Sequence, residues 1–94
     1  EEIRKRYSIP ENAFVVSYIG RHNEIKGYDF LKKIGEELIK KYENIYFLIA
    51  GKEEPLKGIN NSRWIEAGWT KDAKDIVNAA DVFILPNKET YVLL

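Results

Sequence analysis

Arg21, His22 and Lys26 crowd into the stretch YIGRHNEIKG, between Gly20 and Gly27, directly after an apolar run. A guanidinium presents a planar fork that matches phosphate oxygens two at a time, and an ammonium adds a compact point charge. The amphipathic pattern begins just after them, and a helix N-terminus favours anions through its unsatisfied N–H groups and its dipole. Together these features suit a phosphate or diphosphate, although Arg21 and Lys26 would also serve as plain solvated loop cations. His22 could donate a proton or orient a ligand, or have no chemical part. A second polar group, Asn87, Lys88, Glu89 and Thr90, follows the apolar run DVFILP. Glu89 could accept hydrogen bonds from sugar or ribose hydroxyls, or stay solvated. Trp64 and Trp69 read first as packing residues, and Trp69, at a strand end, could border a base pocket. There is no GxGxxG fingerprint, P-loop lysine, Ser-His-Asp or Cys-His set, or D-x-D motif. Lys52, Glu53 and Glu54 read as a solvated loop.

The elements that must position these groups follow from the apolar pattern. Residues 1–9 read as the tail of a polar helix stopped by Pro10 and Asn12. AFVVSYIG, residues 13–20, reads as a strand buried on both faces and ending on glycine. Tyr28, Leu31, Ile34, Leu38 and Tyr42 recur at spacings of three and four and predict a helix over 28–42. Its other face carries the i,i+4 pairs Glu36–Lys40 and Glu37–Lys41 in the favourable order. NIYFLIAG, residues 44–51, repeats the strand-then-glycine pattern, and the segment after it is a loop. RWIEAGW, residues 63–69, is a shorter strand that Glu66 and Gly68 interrupt. Thr70 is a candidate N-cap for a helix with Ala73, Ile76, Val77 and Ala80 on its buried side. A fourth strand, residues 81–86, ends at Pro86.

Strands with continuous rather than alternating apolar residues, joined by helices, predict an α/β fold. The expected form is a Rossmann-like, doubly wound parallel sheet of about four strands with helices on both faces. In such a sheet a ligand sits outside the carboxyl ends of the strands, where the strand order reverses. With the order 3-2-1-4 that crevice lies between the first and fourth strands, and it would receive both polar clusters.

The composition narrows the classes of function. Fifteen Lys plus Arg balance fifteen Asp plus Glu over 94 residues, which gives no reason to expect a nucleic-acid partner. The absence of cysteine excludes disulfides and thiolate metal sites, and with one histidine a zinc site is not expected. No apolar run approaches the length of a membrane span. The chain starts without Met and ends inside the apolar run YVLL, so a fragment of a larger protein is expected. On this reading residues 1–94 form one partial domain, with 1–12 a remnant of a preceding helix or interdomain linker.

YIGRHNEIKGYDFL, NIYFLIAGKEE and DIVNAADVFILPNKET resemble, in order, the motifs of the nucleotide-sugar-binding domain of GT-B glycosyltransferases of the group 1 family. The resemblance runs from about Ala13 to the end of the chain. It implies the C-terminal, donor-binding half of a retaining enzyme that moves a sugar from a nucleoside-diphosphate sugar, a UDP-sugar for example, to an acceptor. Arg21 and Lys26 match the cations that hold the donor diphosphate and stabilise the charge that grows on it, a catalytic role that replaces a metal. Gly20 matches the glycine that lets the donor approach the backbone, and Glu89 matches the first acid of the family's E-x7-E pair. The region around Trp69 and Thr70 matches the nucleobase pocket. His22 and Thr90 complete the expected donor-binding set.

The resemblance implies no cofactor beyond the donor substrate, and it makes the partner an acceptor-binding N-terminal domain that is missing here. It further implies a cytoplasmic protein of polysaccharide or glycolipid biosynthesis, compatible with peripheral association at the inner face of the membrane. Two departures stand out. The second glutamate would fall past Leu94, and ETYVLL lacks the glycine usually found shortly after the first acid. Two other readings stay open: a nucleotide-sugar epimerase domain, and a non-catalytic α/β nucleotide-binding or interaction module. A receiver domain fits poorly, because the first strand ends in Gly-Arg rather than in an acidic cluster.

Overall fold

The computed structural model describes residues 2–20, 22, 27–51, 56–68 and 73–84. Their elements are α1 (Glu2–Arg6), β1 (Phe14–Ile19), α2 (Tyr28–Lys41), β2 (Ile45–Ala50), β3 (Trp64–Gly68), α3 (Ala73–Ala79) and β4 (Val82–Phe83). The strands form one parallel sheet in the order β3-β2-β1-β4. This is the expected α/β Rossmann-like sheet, with its order reversing between β1 and β4. β1 pairs with β2 along its whole length, from Phe14 opposite Ile45 to Ile19 opposite Ala50.

Side chains alternate between the two faces of the sheet, and each face has its own core. Val16 and Tyr18 of β1, Phe47 and Ile49 of β2 and Trp64 of β3 pack with Tyr28, Leu31 and Ile39 of α2. On the other face Val15, Leu48 and Ala50 meet Ile76 and Ala79 of α3, with Ile3 and Ile9 of the N-terminal segment. Burying one large apolar side chain of this kind stabilises by roughly 1.5–3 kcal/mol, so the two layers together hold the sheet. β1 is buried from Val15 to Tyr18, half-buried at Ile19, and 44% exposed at Phe14 where the strand begins.

The buried stripe of α2 differs from the predicted one. It runs Tyr28, Leu31, Gly35, Ile39, and Tyr42 is 53% exposed. The helix ends at Lys41, and Tyr42 has extended backbone, so its side chain leaves the stripe. Arg63 closes that end by donating to the carbonyl of Ile39, in the last turn, and to that of Tyr42, just past it. Gly35 permits close contact with β3, because a Cβ there would come within 2.4 Å of Trp64 Cζ3. In α3, Val77 is exposed and Ala79 takes the buried place beside Ile76. Thr70, the expected cap of this helix, lies outside the described residues. The Glu36–Lys40 and Glu37–Lys41 side chains are solvent-exposed. Among the described residues, no helix is long and apolar enough to cross a membrane.

Candidate functional site

The carboxyl ends of β1, β2 and β3 converge on three glycines. Gly20 N–H donates to the Ala50 carbonyl (3.1 Å), and Gly51 N–H donates to the Gly68 carbonyl (2.8 Å). Just beyond Gly20 the chain turns His22 inward until it is fully buried. The α2 helix then begins after Gly27, which brings no side-chain oxygen to cap its first turn. The N-terminus of α2 thus opens at the same edge of the sheet as the end of β1.

Glu66 of β3 ties this corner together. Strand alternation puts Glu66 on the same face as Trp64, the face that α2 covers. Its Oε1 lies 2.8 Å from His22 Nε2. Its Oε2 accepts two hydrogen bonds, from the Tyr28 hydroxyl (2.7 Å) and from the Trp64 indole N–H (2.8 Å). The other ring nitrogen of His22, Nδ1, faces the Gly20 carbonyl at 3.2 Å. Both ring nitrogens therefore face oxygens, and Nε2, facing a carboxylate that only accepts, is the one that must donate. The His22 ring stacks on Tyr28, with centroids 3.9 Å apart and planes 13° from parallel. Tyr18 meets both rings at an angle. The loop after β2 lies over the pair: Leu56 N–H donates to the His22 carbonyl at 2.9 Å. A Cβ at Gly58 would fall 2.1 Å from Glu66 Oε2.

The electrostatics follow from these contacts. Burial alone would raise the Glu66 carboxyl. The hydrogen bonds from His22, Tyr28 and Trp64, with the charge of His22, outweigh it and hold Glu66 below its ordinary value. Burial pushes the Tyr18 hydroxyl up to about 12, so it stays a phenol. A carboxylate depressed in the folded state releases its proton more readily there than in the unfolded chain. Its stabilisation is complete above the ordinary carboxylate range and lost as pH falls through the depressed folded value. Acidification from pH 7 should therefore narrow the stability difference between the wild type and Glu66→Gln. Urea denaturation at a series of pH values reads this directly. A difference that stays constant or widens toward low pH contradicts the assignment.

Of the residues singled out from sequence, Gly20 and His22 are described, and they are adjacent in this corner. Gly20 also packs against Tyr18, whose hydroxyl oxygen would lie 3.0 Å from a Cβ there. Arg21, Lys26, Trp69, Thr70, Glu89 and Thr90 lie outside the described residues. Trp64 is a packing residue, as expected, stacked on Phe47 with centroids 5.0 Å apart. The residue that sequence reasoning missed is Glu66, which reads along the chain as a break in an apolar strand. The available signal was its i+2 spacing from Trp64, which sets both on the face that Tyr28 covers.

A family model described as glycosyl transferases group 1 matches residues 13–93. No curated protein and no solved structure matches the chain. The matched span runs from the start of β1 through every later element, including the turn that carries Gly20 and His22 and the strand that carries Glu66. The chain belongs to the group 1 family of glycosyl transferases.

Proposed function

We propose that the chain is the donor-binding part of a retaining glycosyltransferase that uses a nucleoside-diphosphate sugar. The observation that carries this reading is the reversal of strand order between β1 and β4. In open α/β sheets, ligands bind outside the carboxyl ends of the strands at that point. The α2 N-terminus opens beside it without a side-chain cap, and such a terminus receives anionic oxygens well. The sequence adds Arg21 and Lys26 on either side of His22, and Glu89 and Thr90 after β4.

In this reading Arg21 and Lys26 hold the diphosphate in the ground state. They stabilise it further as the glycosidic bond to the sugar breaks and negative charge moves onto the leaving oxygen. Fixed donors aimed at developing charge lower the barrier without reorganising, and here they do so in place of a metal. Gly20 admits the donor close to the backbone, Trp69 and Thr70 border the base, and Glu89 accepts hydrogen bonds from hydroxyls of the sugar or ribose. The acceptor comes from a separate N-terminal domain, so the 94-residue chain by itself has little or no transferase activity. The same reading sets the enzyme in the cytoplasm, and a chain with no cysteine suits a reducing compartment.

Calorimetric titration with UDP, GDP and ADP tests the reading. Nucleoside-diphosphate binding is expected in the wild type. Each of Arg21→Ala and Lys26→Ala should weaken it by about 1.5–3 kcal/mol, the worth of a charge-assisted hydrogen bond. A folded wild type that binds none of the three, or substitutions that leave affinity unchanged, would overturn it.

A further inference from the structure

The contacts of Glu66 reach further than its own strand. One oxygen engages His22, in the turn after β1, and the other engages Tyr28, the first residue of α2. The same Oε2 is braced from β3 by Trp64 Nε1. His22 in turn accepts from Leu56 N–H in the loop after β2 and faces the Gly20 carbonyl. A single carboxylate, a fifth exposed, thus connects β3, both ends of the β1–α2 connection and, through His22, the next loop. Among the described residues, the titratable groups that face it are His22 and Tyr28, with Tyr18 packed behind them.

We propose that Glu66 is the positioning residue of the donor site: it holds His22, after β1, and Tyr28, at the start of α2, in one geometry. This rests on the donor-site reading above in one respect, that the corner it fixes is the one that receives the diphosphate. Glu66 touches no reacting atom in this scheme and acts through His22 and Tyr28. The hydrogen-bond inventory also defines a chemical signature. In the wild type His22 Nε2 must donate, because a carboxylate oxygen only accepts. In Glu66→Gln the amide oxygen must stay toward the Trp64 and Tyr28 donors. The amide nitrogen then faces His22 Nε2, which has to become an acceptor, and Nδ1–H then donates to the Gly20 carbonyl.

The test compares wild type, Glu66→Gln and Glu66→Ala in three measurements. In nitrogen NMR of the imidazole, Nε2 should change from protonated to unprotonated in Glu66→Gln. In amide exchange, Glu66→Ala should speed exchange at Gly20 and Leu56, whose N–H groups donate to the Ala50 and His22 carbonyls, at least tenfold more than at Leu48 or Ile39. Glu66→Gln, which keeps an acceptor for Tyr28 and Trp64, should recover most of that protection. In calorimetry, UDP affinity should fall about tenfold or more in Glu66→Ala and be partly restored in Glu66→Gln. An unchanged His22 tautomer, with exchange no faster at the corner than in the core, would overturn the proposal. So would wild-type UDP affinity in a Glu66→Ala protein. If the wild type binds no nucleoside diphosphate, the donor-site reading fails, and the NMR and exchange results still decide the role of Glu66. Should Glu66→Ala not fold, the Glu66→Gln tautomer and exchange data decide it alone.

Discussion

Gly51→Ala is expected to destabilise the domain by about 2–6 kcal/mol, the sum of two effects of about 1–3 kcal/mol each. Gly51 ends β2 with φ at +116°, a backbone conformation that side chains oppose. A Cβ there would also stand 2.0 Å from the Gly20 carbonyl oxygen and 2.7 Å from its carbon. Backbone atoms cannot swing aside as a flexible side chain would, so the end of β1 would have to move. Gly68→Ala separates the two effects. Its φ of +75° carries strain, but nothing lies within 4 Å of the added carbon, so its cost should stay at about 1–2 kcal/mol. Urea denaturation of the two variants gives the comparison, and equal costs would show that the approach of β1 to β2 is not the constraint inferred here. Since Gly20 belongs to the candidate donor site, Gly51→Ala should also weaken nucleotide binding more than Gly68→Ala does.

Trp64→Ala is expected to cost about 3–5 kcal/mol, the range for removing a large aromatic from a packed core. Trp64 stacks on Phe47, meets Tyr28 edge-on, approaches α2 at Gly35 and donates to Glu66. A small domain has roughly 5–15 kcal/mol in total, so this variant would be marginal. Trp64→Phe keeps a ring against Phe47 and loses the hydrogen bond to a carboxylate, for about 1.5–3 kcal/mol. Far-UV circular dichroism during denaturation follows both without relying on indole fluorescence. A Trp64→Ala cost below about 1.5 kcal/mol would mean that the layer under α2 closes without it.

Much of this architecture is legible in the chain because each signal is local. FVVSYI and IYFLIA are largely apolar runs each followed by glycine, and the helix between them has a clear period. Right-handed crossovers leave few strand orders for such a pattern, and the sheet adopts the order 3-2-1-4 on which the crevice between the first and fourth strands depends. What sequence obscures is where a periodic residue stops belonging to its helix. Tyr42 fits the spacing, but Arg63, distant in sequence, takes the carbonyls that end α2. Gly35 looks like a weak point in the helix and proves to be the place where Trp64 fits. Glu66 is hidden for the same reason. Its partners come from the β1–α2 turn and from α2, so no window along β3 contains the information. His22, whose part the sequence leaves open, is fixed by contacts that only the folded sheet brings together.

Asp81 shows when, as well as where, the chain closes. Its Oδ2 accepts from Val15 N–H at 2.7 Å and from the Arg4 guanidinium at 3.2 Å, while its own N–H donates to the Val15 carbonyl at 2.8 Å. The strand β1 thus waits for a residue 66 positions later to complete its bonding. Contacts this far apart in sequence must overcome loop-closure entropy before they return any stabilisation, which slows folding. A chain emerging from the ribosome would carry β1 with one edge open until the segment around Asp81 has been synthesised, a period when any other extended strand could take that edge.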